Sequence, residues 1–169
     1  MSYFSSDFDY SLDAKVERYT LWLVVNDEMK SHPLYQFKEQ ILPTNENAGF
    51  DLATAEDWTG DTHLLNLGVK AMMKVSGTDE TVHFWLAPRS SIYKTGYVMA
   101  NSLGVIDRSY RGTVKAPVVR VAPDAKGFVA GDRHFQILAP NMGWIQKIII
   151  VDSLPETERG DGGFGSTGR

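Results

Sequence analysis

The chain contains no cysteine among its 169 residues. A disulfide framework, a cysteine-based zinc site and a thiol nucleophile are therefore excluded. No apolar run approaches the roughly 20 residues that span a bilayer, so no membrane partner is expected. The N-terminal stretch MSYFSSDFDYSLDAK is polar and acidic and does not read as a secretory signal, which makes cytosol or nucleus the expected compartment. No large excess of one charge is present. The formal net charge is -4, with Lys and Arg spread among the acids, and this argues against broad binding of a nucleic-acid backbone. It leaves room for a small basic pocket that takes one anionic metabolite. No segment keeps a 3.6-residue apolar period over ten or more positions. Walker, Rossmann and serine-elbow patterns are all missing. The four histidines, His32, His63, His83 and His134, do not show metal-ligand spacing, and His83 and His134 read as packing or surface residues.

What is present is strand. Tyr19–Val25, Val82–Ala87, Gly112–Val121, His134–Ala139 and Trp144–Val151 are rich in β-branched and aromatic residues, with Gly, Pro, Asn and Asp between them. Hydrophobic residues make up 43% of the chain, enough for a core. Many short strands in one domain of this length indicate an all-β sandwich, barrel or jelly roll. Pro140-Asn141-Met142-Gly143 suggests a hairpin between the last two strands. Pro33–Gln40 suggests a short helix capped by Ser31. Residues 1–158 read as the domain, with 1–15 loosely ordered, and 159–169 as a glycine-rich C-terminal arm.

Five stretches could carry chemistry. The tail RGDGGFGSTGR offers backbone N–H groups unshielded by side chains, two hydroxyls and a guanidinium, a set that suits a polyphosphate. Phe164 adds one flat apolar face that could cover a base. By composition alone this tail reads first as a flexible polar end and second as a phosphate clamp. Ala87-Pro88-Arg89-Ser90-Ser91 follows a strand, where a guanidinium and two hydroxyls suit phosphate oxygens or simply cap a turn. In Asn101–Gly112 (NSLGVIDRSYRG), Asp107 follows the apolar pair Val105-Ile106 and is a candidate general base, with Tyr110 three residues on; a turn-stabilising Asp fits the same pattern. Asn47–Leu52 places Asp51 after a glycine turn. Gly131–Gln136 is a turn into a strand, and Gln136 alone would pass for a surface residue.

Taken together and in order, AGFDL, PRSS, NSLGVIDRSYRG, GDRHFQI and ERGDGGFGSTG resemble the five motifs of homotrimeric dUTPases, from Ala48 to Gly168. The resemblance implies a jelly-roll β-barrel protomer and a homotrimer with C-terminal arm exchange. It implies three sites, each drawing on all three subunits. The implied activity is hydrolysis of dUTP to dUMP and pyrophosphate with Mg²⁺, which keeps uracil out of DNA and supplies dUMP for thymidylate synthesis. It makes Asp107 the acid that activates a water. Asn101, the Gly104, Val105, Ile106 and Asp107 backbone, Tyr110 and Phe164 become the nucleoside contacts, Tyr110 excluding a 2′-hydroxyl. Arg89, Ser90, Ser91, Gln136, Arg159, Gly165, Ser166 and Thr167 become phosphate contacts, and Asp51 holds Mg²⁺ through water. The arm is expected to be mobile over an empty site. Two departures stand out: Ser109 replaces an acid often found there, and the fourth motif reads Arg-His-Phe-Gln-Ile where Arg-Ile-Ala-Gln-Leu is common. A dCTP deaminase, which shares the fold, would need a glutamate in the strand after Tyr110, and GTVKAPVVRV has none. A nucleotide-binding or signalling relative without catalysis would be expected to lack some of Asp107, Arg89, Arg159 and Phe164, which are all here.

Overall fold

The β-branched and aromatic runs form twelve short strands in the computed structural model, which describes residues 17–165. Residues 1–15, expected to be loosely ordered, lie outside the described residues. The strands are β1 (Arg18–Val25), β2 (Glu39–Ile41), β3 (Gly49–Leu52), β4 (Thr62–Asn66), β5 (Val69–Val75), β6 (Thr81–Val82), β7 (Phe84–Pro88), β8 (Tyr97–Met99), β9 (Gly104–Ile106), β10 (Lys115–Arg120), β11 (Phe135–Leu138) and β12 (Trp144–Ile150). Three sheets result, in the orders β2-β12-β1-β5-β6, β4-β10-β8 and β3-β11-β7-β9. The all-β, jelly-roll-like architecture expected from the sequence is what forms. Only 3-10 turns interrupt it among the described residues, and no helix there is long and apolar enough to cross a membrane.

Period-two alternation places the core. Leu21 and Leu23 on β1, Leu52 on β3, Met73 on β5, Leu86 on β7 and Phe135 and Ile137 on β11 are fully buried between the sheets. Each such side chain gains about 1.5–3 kcal/mol from leaving water, which offsets the ordering of strands that are individually too short to persist.

Two local expectations are corrected. Pro140–Gly143 does not close a hairpin, because β11 and β12 lie in different sheets. The turn carries the chain from one layer to the other, with Met142 at φ +60° and its N–H on Ala139 O at 3.1 Å. Nor is Pro33–Gln40 a helix capped by Ser31. Only Pro33–Tyr35 makes a 3-10 turn, capped by His32, whose Nδ1 accepts the Leu34 N–H at 3.1 Å. The segment is held by Tyr35, which is buried and accepts the Ala53 N–H on its hydroxyl at 3.2 Å. Burial pushes that hydroxyl's pKa up to about 12.

Candidate active site

The strand β9 is the outer member of its sheet and pairs only with β7, Leu86 opposite Gly104 and Phe84 opposite Ile106. Its outer edge therefore presents backbone donors and acceptors to whatever lies beside it. Beyond that edge is a cavity of about 170 Å³ lined by Leu86, Asn101, Gly104, Val105, Ile106, Asp107, Tyr110, Lys115, Arg159, Gly163 and Phe164. Every residue expected to touch a nucleoside is in this lining. Leu86 and Lys115 join them without a sequence signal, Leu86 because β7 pairs with β9 and Lys115 from β10 in another sheet. The cavity is well below the roughly 300–1,000 Å³ of a complete ligand site.

Tyr110 forms one wall. Its hydroxyl donates to Thr113 O at 2.9 Å, and burial raises its pKa. Gly112 is needed beneath it, since a Cβ there would lie 2.6 Å from Tyr110 Cζ. On the other side a Cβ at Gly163 would stand 3.1 Å from Cε2, so the arm's glycine lets its backbone pass flat against the ring.

Asp107 sits at the end of β9, partly exposed. Arg159 Nη1 donates to its Oδ2, and the Arg159 guanidinium carbon stands 5.9 Å from the Tyr110 ring centre. His83, read from the sequence as packing or surface, is exposed, and it also places Nδ1 3.4 Å from Asp107 Oδ1 and accepts the Arg108 N–H at 3.1 Å.

The start of the arm is tied to the segment after β9 through Arg111. Its Nε donates to Pro155 O at 2.7 Å, its Nη1 to Arg108 O at 2.8 Å and Tyr110 O at 2.9 Å, and its backbone N–H to Gly160 O at 2.7 Å. Burial pushes its guanidinium pKa below the usual arginine value. Arg111 was not singled out in the sequence, since nothing local distinguishes it from Arg108. Within the single chain, then, Arg159 and Phe164 lie on their own protomer's cavity. Gly165, with φ +94°, ends the described arm; Ser166 and Thr167 lie outside the described residues.

The second group of expected residues gathers elsewhere. Asp51 on β3 pairs in register with Gln136 on β11. Arg89 Nε lies 2.9 Å from Asp51 Oδ1 and Arg133 Nη1 3.6 Å from Oδ2. Gly49 makes room for Gln136: a Cβ at that position would fall 2.5 Å from Gln136 Oε1. Ser90 opens the 3-10 turn Ser90–Thr95, and Ser91 Oγ lies 3.3 Å from Arg133 O and 3.1 Å from His134 Nδ1. Arg133 and His134 were missed, because a turn into a strand shows no sign of what it will face.

The two groups do not meet within one chain. Antiparallel pairing puts Asp107 beside the Phe84 end of β7, whereas Arg89 follows its other end. At about 3.3 Å per residue the separation is roughly 15 Å or more.

A family model described as dUTPase matches residues 39–168, which is most of the chain. The chain belongs to the dUTPase family. Among dUTPase relatives, the deoxyuridine 5'-triphosphate nucleotidohydrolase of Nautilia profundicola is 34% identical over 140 residues, covering 78% of this chain and 94% of that protein. The enzyme of the same name from Corynebacterium jeikeium is 35% identical over 141 residues, covering 78% and 88%. Of solved structures, the dUTPase from Streptococcus mutans aligns at 25% identity and a TM-score of 0.47, over 72% of this chain and 100% of that one.

Proposed function

We propose that the protein hydrolyses dUTP to dUMP and pyrophosphate, at sites completed between the protomers of a trimer. The observation that carries this reading is the single cavity that gathers the β9 edge, Tyr110, Asp107, Arg159 and Phe164. A uracil ring lies along β9, whose backbone groups match its edge; thymine's methyl has no room and cytosine presents the wrong donors. Tyr110 stands under the deoxyribose, where a 2′-hydroxyl would collide with it. Phe164 covers the base.

Asp107 orients a water in line with the α-phosphorus and takes its proton as the new P–O bond forms. The bond to the β-phosphate oxygen breaks, and pyrophosphate leaves with the electron pair. Arg159, which neutralises Asp107 in the single chain, turns to the phosphates when they arrive. Both members of that pair are partly exposed, so breaking it costs little.

Arg89, Ser90, Ser91 and Gln136 hold the phosphates. Their distance from Asp107 in one chain supports a two-protomer site, and a ring of like interfaces supplies three. On assembly each arm serves a neighbour's cavity and repeats there the contacts it makes in the isolated chain, as exchanged elements do. In the arm, 159–169, Gly165, Ser166 and Thr167 run along the phosphates once nucleotide enters.

Asp51 fits a Mg²⁺ role only through water. No cluster of three acids or histidines stands among the described residues to cage an ion, and both Asp51 oxygens already face guanidinium groups. Mg²⁺ keeps its waters readily, so the phosphates would supply its direct ligands and Asp51 would accept from one of its waters. When bound, the ion would neutralise phosphate charge.

A steady-state assay over dUTP, dTTP, dCTP and UTP tests the reading. Release of pyrophosphate from dUTP alone is expected, and equal turnover of all four would refute it.

A further inference from the structure

His134 is one of the departures in the fourth motif, and its surroundings give it work. The side chain is 13% exposed, with its ring edge on Phe128 at 5.9 Å and 67°. Nδ1 lies 3.1 Å from Ser91 Oγ, and Nε2 lies 3.6 Å from Asp132 Oδ2. Ser91 is one of the hydroxyls proposed to hold the phosphates, and the role inferred for His134 rests on that reading.

We infer that His134 is a positioning residue of the phosphate cluster, one that decides whether the Ser91 hydroxyl proton is free for a phosphate oxygen. A hydroxyl has one proton to give. A neutral imidazole that directs Nε2–H at Asp132 has a bare Nδ1, which takes the Ser91 proton and leaves only lone pairs towards an anion. The opposite neutral tautomer would set a bare Nε2 against the Asp132 carboxylate, which is repulsive. The imidazolium resolves both contacts. Its Nε2–H faces Asp132, its Nδ1–H donates to Ser91 Oγ, and the hydroxyl proton turns outward. Among the described residues the other recorded acceptor for that proton is Arg133 O at 3.3 Å, a longer contact on an oxygen shared with Arg89 Nη1, and an arriving phosphate oxygen competes with it.

The charged groups around the imidazole are Asp132 on Nε2, the adjoining Arg133, and beyond it Arg89 and Asp51, two cations and two acids. An arriving polyphosphate tips this balance towards the protonated ring. Anion binding at the cluster therefore takes up a proton at His134. By linkage the same anion binds less tightly as pH rises and the ring loses that proton.

Two measurements on the full chain test this. In the first, the His134 imidazole signals, assigned with His134→Gln, are titrated by NMR with and without inorganic pyrophosphate. The midpoint should move up by about half a unit or more when pyrophosphate is bound. An unmoved midpoint, or no pyrophosphate binding in a protein that turns over dUTP, overturns the inference. The second compares variants. His134→Phe should raise KM for dUTP about fivefold, the worth of one hydrogen bond, with kcat within about twofold. His134→Gln, which keeps a polar partner for Ser91 and the packing volume, should restore KM to near the wild-type value but abolish its rise with pH. A KM in both variants that tracks pH as in the wild type would show the histidine to be packing alone. A wild type that does not turn over dUTP would instead sink the proposed function and leave the pyrophosphate titration to decide this point.

Discussion

Arg159 lies against Asp107 across 52 positions of the chain, one Nη1 donating to one carboxylate oxygen. The group that neutralises the proposed base in the single chain is thus the one that must move to the phosphates for dUTP to be hydrolysed. Asp107→Asn keeps the shape of that contact and removes the basic oxygen. It should lower kcat for dUTP by at least about 10², while binding of a non-hydrolysable dUTP analogue stays within a few-fold. Steady-state kinetics beside calorimetry checks both halves, and near-normal turnover would remove Asp107 from its role.

Gly49 is required by a neighbour's side chain and not by its own φ. A Cβ there would press on Gln136 Oε1 and would stand 2.8 Å from Ile137 O, which as backbone cannot move aside. Gly49→Ala should therefore destabilise the fold by about 1–3 kcal/mol, in the range of an overpacked site, and raise KM for dUTP by displacing Gln136. Urea unfolding and steady-state kinetics on the same preparation would reveal both effects. A change in stability with KM unmoved would detach Gln136 from the phosphates.

Tyr35 carries a pH dependence whose sign follows from its burial. Its hydroxyl's pKa is raised from 10.0 to about 12 in the fold, with burial the main cause. The neutral phenol is the form the folded state favours. Its contribution is fully present below pH 10 and is lost as pH rises from there through about 12. Tyr35→Phe should cost about 1–3 kcal/mol at neutral pH, because the buried Ala53 N–H loses its acceptor, and should lessen the loss of stability above pH 10. Denaturant midpoints measured at pH 8 and pH 11 separate the two effects.

Much of the fold was legible in the sequence, for reasons that can be named. β1, β11 and β12 announced themselves because buried strands need β-branched and aromatic runs. Most of the cavity residues around Asp107 lie within the short segment Asn101–Tyr110 and the tail, so their order along the chain carried their chemistry. What stayed hidden depends on pairing between distant strands. β2 has three exposed residues, Glu39, Gln40 and Ile41, and becomes a strand only by lying beside β12. The turn at Pro140–Gly143 looks like a hairpin locally, and the sheet switch is decided by where β12 finds β1. Tyr35 is a single buried aromatic in a polar loop and has no period to betray it. His83 and His134 meet Asp107 and Ser91, and Lys115 joins the cavity, only once distant strands are assembled, while Arg111 finds Pro155 and Gly160 more than forty positions along the chain.

The isolated chain and the trimer make different use of the same arm, and this can be tested by mixing protomers. Asp107→Asn removes the base but leaves its arm whole; Arg159→Ala keeps the base but loses the arm's guanidinium, at an expected cost of about 10³ in kcat. If each arm closes over its own cavity, as in the single chain, no site in a mixture of the two is complete and activity stays at the sum of two weak enzymes. If arms are exchanged around a threefold ring, an Asp107→Asn protomer lends its intact Arg159 to a neighbour that still has Asp107. Random assembly from equal amounts then completes about a quarter of the sites. Unfolding and refolding the two variants together, with light scattering to establish the trimer, should therefore restore dUTP turnover far above either parent. A trimer that forms from the mixture but stays inactive would place each arm on its own protomer, and the Arg111 tether to Pro155 and Gly160 would then be the device that keeps it there.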